Sequence, residues 1–166
     1  GRRFKSCRPD QFVMNINKVV VIGSGTMGSG IAAHLCNANI PVVLLDLKTE
    51  IAEKAKERIL KSRPPLLFEE SKINSLKTGN ISDDFENVSD ADWIIEAVVE
   101  RIDIKHNIYD QIFKKRKKNS IVSSNTSTIP LKVLSQKLSD LDKKDFCITH
   151  FFNPMYRTGL KKCVIK

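Results

Sequence analysis

A short β-branched run, Lys18-Val19-Val20-Val21-Ile22, passes directly into Gly23-Ser24-Gly25-Thr26-Met27-Gly28. An uninterrupted apolar run of this kind has the form of a strand buried on both faces, which requires helices on both sides of a sheet. From Thr26 to Ala38 the apolar positions Met27, Ile31, Leu35 and Ala38 recur at three- and four-residue steps, the period of a helix. The glycines therefore occupy a strand-to-helix turn, and each has a physical task there. Gly23 allows the tight turn, Gly25 lets the backbone approach a pyrophosphate, and Gly28 permits close packing of helix on strand. The amides and dipole at a helix start favour phosphate. The next apolar strand, Pro41–Asp46, ends on a carboxylate 18 residues after Gly28, where it can accept ribose hydroxyls. Asp46 would repel a 2′-phosphate, and Leu47-Lys48 supply no arginine to attract one. The cofactor expected on these grounds is NAD rather than NADP.

The remaining pattern alternates. Thr49–Lys61 is expected to be an amphipathic helix that stops before Pro64-Pro65. A short helix and a short strand near Asn80–Phe85 follow. Then come a strand at Ala91–Val98, a helix at Ile102–Lys115, a strand at Ser120–Ser123, a helix at Leu131–Leu138 and a strand at Phe146–His150. Strands alternating with helices imply right-handed crossovers, hence an α/β, Rossmann-type doubly wound, mostly parallel sheet. Residues 1–17 read as a disordered or extraneous tail, and 18–166 as the dinucleotide-binding domain.

Charge and cysteine usage bear on partners and compartment. The chain has 28 Lys and Arg against 19 Asp and Glu, a formal +9. The densest basic run, Lys114-Lys115-Arg116-Lys117-Lys118, falls where a helix should end and complements the helix dipole. With no aromatic residues interleaved to stack bases, it reads as a solvated helix end rather than a nucleic-acid patch. Cys7, Cys36, Cys147 and Cys163 are scattered, with no metal-ligand spacing, so no metal is expected. Their usage fits a reducing, cytoplasmic compartment. No apolar stretch reaches the roughly 20 residues of a membrane span.

Three further segments narrow the chemistry: Asp90-Ala91-Asp92-Trp93-Ile94-Ile95-Glu96-Ala97-Val98-Val99-Glu100, Ser124-Asn125-Thr126-Ser127-Thr128 and His150-Phe151-Phe152-Asn153-Pro154. In this order, after the glycine turn, they resemble the NAD-binding domain of 3-hydroxyacyl-CoA dehydrogenases, enzymes of fatty-acid β-oxidation. The resemblance runs from about Lys18 to Leu160. It implies that Met27, Asp46, Val98, Val99, Glu100 and Lys105 contact NAD, together with the glycines. It implies that Ser127 lies between the nicotinamide and the substrate hydroxyl, that His150 is the catalytic acid–base residue, and that Asn153 stands beside it. The substrate implied is an acyl-CoA. A histidine with an ordinary pKa of about 6.5 suits proton transfer from a 3-hydroxyl near neutral pH.

The resemblance also marks two departures. The family orients its histidine with a glutamate 12 residues downstream, and Lys162 stands at that place. A lysine there would oppose an imidazolium. The family also has a helical C-terminal domain that supplies dimer contacts and encloses the acyl chain. No segment of these 166 residues corresponds to it. The expectation is oxidation of 3-hydroxyacyl-CoA by family, with an inactive NAD-binding remnant as the alternative. A homo-oligomer is not assured without the dimerising domain.

Overall fold

In the computed structural model, residues 15–151 and the backbone of 164–165 are described. Seven strands form one sheet: β1 (Val19–Ile22), β2 (Val42–Asp46), β3 (Leu76–Asn80), β4 (Trp93–Glu96), β5 (Ile121–Ser124), β6 (Phe146–His150) and β7 (Val164–Ile165). Their order across the sheet is β3-β2-β1-β4-β5-β6-β7. The first six run parallel, and β7 pairs antiparallel with β6. The longer helices are α1 (Thr26–Asn37), α2 (Thr49–Lys61) and α3 (Ile102–Lys115), and α4 (Leu131–Leu134) is a single turn. The doubly wound α/β architecture expected from the sequence is thus the one observed.

The two-sided burial of β1 explains its composition. Val19 and Val21 pack with Ile31 and Leu35 of α1 and Ala55 and Ile59 of α2. Val20 and Ile22 face the other way, onto Ile108, Tyr109 and Ile112 of α3. Side chains alternate between the faces of a strand, so both sets must be apolar. The chain winds from β1 to β2 and β3 on one side and to β4, β5 and β6 on the other. The crevice between β1 and β4 is therefore the switch point of the sheet, where ligands of such folds bind.

Several boundaries differ from the periodicity, each for a local reason. β3 lies at Leu76–Asn80, and the segment after it is a turn rather than a strand. The Asn80 side-chain oxygen accepts the amides of Ser82 and Asp83 at 2.8 Å, while Asp84 accepts the Asn80 amide at 2.8 Å. Those bonds replace strand pairing. β4 is shorter than Ala91–Val98, because the Val98 amide donates to Glu96 Oε1 at 2.9 Å instead of to a neighbouring strand. The helix expected over Leu131–Leu138 closes after one turn; Gln136 and Leu138 donate to residues three back, in tightening turns.

The basic run closes α3, with Lys114, Lys115 and Lys118 exposed and Arg116 and Lys117 partly buried. Arg116 is 9% exposed and bonds Asp142 at 3.2 Å and Asp145 at 2.8 Å, with its guanidinium 4.7 Å from the Phe113 ring centre. Lys114 pairs with Asp110, Lys115 with Glu86 and Lys117 with Asp92. Lys115, Arg116 and Lys117 tie the end of α3 to neighbouring segments, leaving Lys118 as the residue of the run without an ion pair among the described residues. No described helix is long and apolar enough to cross a membrane.

Asp92 anchors the entry to the sheet. Its Oδ2 accepts the amides of Asn17 at 2.7 Å and Lys18 at 3.1 Å, and its Oδ1 accepts Lys117. Burial works to raise its carboxyl pKa, but Lys117 and the two amides outweigh it and hold it below the usual range. A depressed folded pKa adds stability that is present above the unfolded value and lost as pH falls through the folded one. Asp92→Asn is expected to cost about 1–2 kcal/mol at neutral pH, the scale of hydrogen bonds to a charged group. The deficit against the parent should shrink at pH values below about 4. Urea unfolding of both proteins at pH 7 and pH 3 checks this; an equal deficit at both pH values would contradict it.

Candidate functional site

The strand-to-helix turn is built as the glycine spacing requires. Gly23 has φ +100°, and a Cβ there would lie 2.5 Å from the Ala97 carbonyl oxygen at the end of β4. A Cβ on Gly28 would lie 1.8 Å from the Gly23 oxygen. Gly25, in contrast, opens onto space with nothing within 4 Å of a Cβ. It caps α1 with its backbone extended, and its carbonyl accepts the Ser29 amide at 2.9 Å. The first amides of a helix have no intrahelical partner, so an exposed cap without a side chain leaves them accessible to an anion.

Ser24 locks this turn in place. Its amide and hydroxyl donate to Asp46 Oδ2 at 2.7 and 2.6 Å, and its carbonyl accepts Ser29 Oγ at 2.8 Å and Arg58 at 2.9 Å. Asp46 Oδ1 accepts the Leu47 amide at 2.7 Å. The carboxylate predicted for the ribose is thus half-buried beside the turn and already oriented. To take two vicinal hydroxyls, it needs the Ser24 hydroxyl to rotate away, since three of its roughly four acceptor positions are in use. Turn, open cap and oriented carboxylate together fit a dinucleotide.

A cavity of about 380 Å³ opens beside the switch point. Met27 from the first turn of α1, Val98, Val99 and Glu100 from the β4–α3 connection, Lys105 from the first turn of α3, Ser127 after β5 and His150 at the end of β6 all line it. Residues from four separated stretches of sequence therefore converge on one cavity. Gly23, Gly25, Gly28 and Asp46 lie outside its wall, at the neighbouring strand ends. Asn153 falls outside the described residues, as do Lys162, Cys7 and Cys163.

Lys105 differs from the simple expectation of a cation offered to a ligand. Its side chain is 1% exposed and bonds Glu96 Oε1 at 2.6 Å, with Glu100 Oε2 at 3.7 Å. Val99 is 60% exposed, and Glu100 accepts the Thr126 hydroxyl at 2.9 Å. Two residues that the sequence alone did not single out shape the site. Glu96 is fully buried at the end of β4 and accepts bonds from Lys105, Tyr109 and Ser124. Asn125 Oδ1 accepts the Phe151 amide at 3.1 Å, which fixes the backbone next to His150. Both stand inside the quoted motifs, two residues from Val98 and Ser127, so only their bonding sets them apart. Thr149 and Trp93 both donate to Ser123 Oγ at 2.9 Å, holding β6 against β5 and β4.

The other histidines and the core cysteine lie elsewhere. His34 is half-buried in α1, where burial lowers its pKa and its Nε2 has no hydrogen-bond partner among the described residues. His106 Nε2 lies 3.0 Å from the Val133 carbonyl. Cys36 is a buried core thiol whose pKa burial pushes up to about 11.

Residues 18–161 match the family described as 3-hydroxyacyl-CoA dehydrogenase, NAD binding domain. A putative fatty acid oxidation complex trifunctional enzyme of Rickettsia felis is 47% identical over 157 residues, covering 90% of this chain and 22% of that protein. A probable 3-hydroxyacyl-CoA dehydrogenase of Deinococcus radiodurans is 39% identical, covering 85% of this chain and 43% of its own length. Among solved structures, the 3-hydroxybutyryl-CoA dehydrogenase of Escherichia coli K12 superposes with a TM-score of 0.72 at 27% identity, covering 86% of this chain and 31% of that one. The chain thus spans about a fifth to a half of the length of the curated relatives it matches. With the glycine turn, the open helix cap and the motif match in agreement, this chain belongs to the NAD-binding domain family of 3-hydroxyacyl-CoA dehydrogenases.

Proposed function

We propose that residues 18–166 form a domain that holds NAD across the β1–β4 crevice and serves the oxidation of a 3-hydroxyacyl-CoA to the 3-oxo thioester. The observation that carries this reading is the convergence of Met27, Ser127 and His150 on one cavity beside the glycine turn. The adenosine half belongs beside Asp46 and Gly25, and the nicotinamide half in the cavity. NAD supplies the acceptor for the hydride of the substrate's C3. His150 takes the proton of the 3-hydroxyl, the proton-transfer task for which an imidazole is suited near neutral pH. Ser127, on the exposed loop after β5, donates a hydrogen bond to the same oxygen and holds it in reach, and Asn153, three residues beyond His150, assists. Met27 and Val98 close the apolar side of the cavity.

Lys162 favours a second reading, cofactor binding without efficient turnover. Reduction of acetoacetyl-CoA by NADH separates the two. Under the second reading the parent turns over slowly, Lys162→Glu is faster, and His150→Gln in that background removes the gain. A parent at least as fast as Lys162→Glu would sink the second reading.

Two glycine substitutions test the cofactor site itself. Gly25→Ala meets open space, so unfolding free energy should stay within about 0.5 kcal/mol of the parent. Its NAD affinity should fall about tenfold or more, because a methyl group sits where the pyrophosphate must approach the backbone. Gly28→Ala drives a Cβ into the Gly23 carbonyl and should cost about 3 kcal/mol of stability. Titration calorimetry and urea melts report both. Unchanged NAD affinity in Gly25→Ala would remove the pyrophosphate from this turn.

A further inference from the structure

The buried cluster behind the cavity has no assigned task. Glu96 is 0% exposed, and every group that reaches it is a donor. Oε1 accepts Lys105 Nζ at 2.6 Å and the Val98 amide at 2.9 Å. Oε2 accepts the Tyr109 hydroxyl at 2.5 Å and the Ser124 hydroxyl at 2.6 Å. Four such bonds, one of them from an ammonium, leave neither oxygen of this buried carboxyl without a partner. Burial and the Glu96 charge raise the Tyr109 pKa, which keeps that hydroxyl a donor.

The cluster joins the cavity through what it holds. Glu96, Tyr109 and Ser124 do not line the cavity; Lys105 and Val98 do. The Lys105 ammonium, 1% exposed, stands between Glu96 and Glu100, with the Val98 carbonyl at 3.5 Å. An ammonium buried this far remains charged only beside a counter-charge, and Glu96 is the close one. Four donors from the β4–α3 connection, β5 and α3 therefore fix one carboxylate, and that carboxylate fixes a cation and a backbone segment on the cavity wall. We infer that Glu96 is a positioning residue for the nicotinamide half of the dinucleotide, acting through Lys105 and Val98. This rests on the NAD reading above. The adenosine half, at Asp46 on the far side of β1, lies outside its reach.

That asymmetry separates positioning from plain structural support. Calorimetry on the full chain uses two probes: NAD, and ADP, which has the adenosine and pyrophosphate but no nicotinamide riboside. Glu96→Gln keeps the size and removes the charge. It is expected to weaken NAD binding about tenfold while changing ADP binding less than about twofold. Lys105→Met should show the same split, and the double variant should bind NAD no more weakly than Lys105→Met alone, because the two act as one unit. Equal losses for NAD and ADP, or NAD affinity unchanged, would overturn the inference. If Glu96→Gln fails to fold, Tyr109→Phe removes one donor while leaving the ion pair. It should lower NAD affinity about two- to threefold with ADP unaffected, and a loss shared by both probes overturns the inference there too. A parent chain that binds ADP but not NAD would defeat the NAD reading and this inference with it. NAD binding that is indifferent to these substitutions defeats the inference alone.

Discussion

The structure turns on a contact that admits no side chain. Gly23 lies against the Ala97 carbonyl at the end of β4, and Gly28 lies against Gly23. Both approaches are shorter than any Cβ allows, so α1 can descend onto β1 only with glycine at these two places. The contact brings the α1 N-terminus to the point where the sheet order reverses. Without it, the open cap at Gly25 and the cavity under Met27 would not share an edge. Ser24 reinforces the contact from the other side, joining the turn to Asp46, Ser29 and Arg58. Fold and cofactor geometry are therefore one constraint here, seen from two sides.

Much of this was legible in the sequence because buried strands and glycine turns leave strong local traces. β1, α2 and β6 fall where β-branched runs and helical periods place them, to within a residue. The weaker elements are those whose bounds depend on side-chain bonds. Asn80 ends β3 by accepting the amides of Ser82 and Asp83, and Glu96 ends β4 by accepting that of Val98. A polar side chain that satisfies the backbone looks, in sequence, like any other polar residue. The same reason hides Glu96 and Asn125. Their types are ordinary for a loop edge, and only burial and partners show that one holds Lys105 and the other the residue after His150.

Charge illustrates the opposite error, in which a conspicuous pattern has a bland cause. Five consecutive basic residues invite a polyanion, yet Arg116 stacks on Phe113 and reaches two aspartates, and Lys117 meets Asp92. Helix ends need cations for the exposed carbonyls. This end also needs them to fasten the segments that lead into β5 and β6. Exposed pairs such as Lys114–Asp110 add little. The nearly buried Arg116 does more, because removing it would strand two carboxylates and a ring face.

The two halves of the site are held by different means, and this bears on how they can vary. The cofactor half sits on strands in the middle of the sheet, with neighbours on both sides and helices above and below. Its geometry is over-determined by the core. His150 ends β6, whose outer neighbour is the two-residue β7, paired Thr149 to Ile165 and His150 to Val164. Its inner support is Asn125 and the Ser123–Thr149 bond. The dinucleotide half is independent of that edge, because the contacts that shape Gly23, Gly28 and Asp46 do not pass through β6.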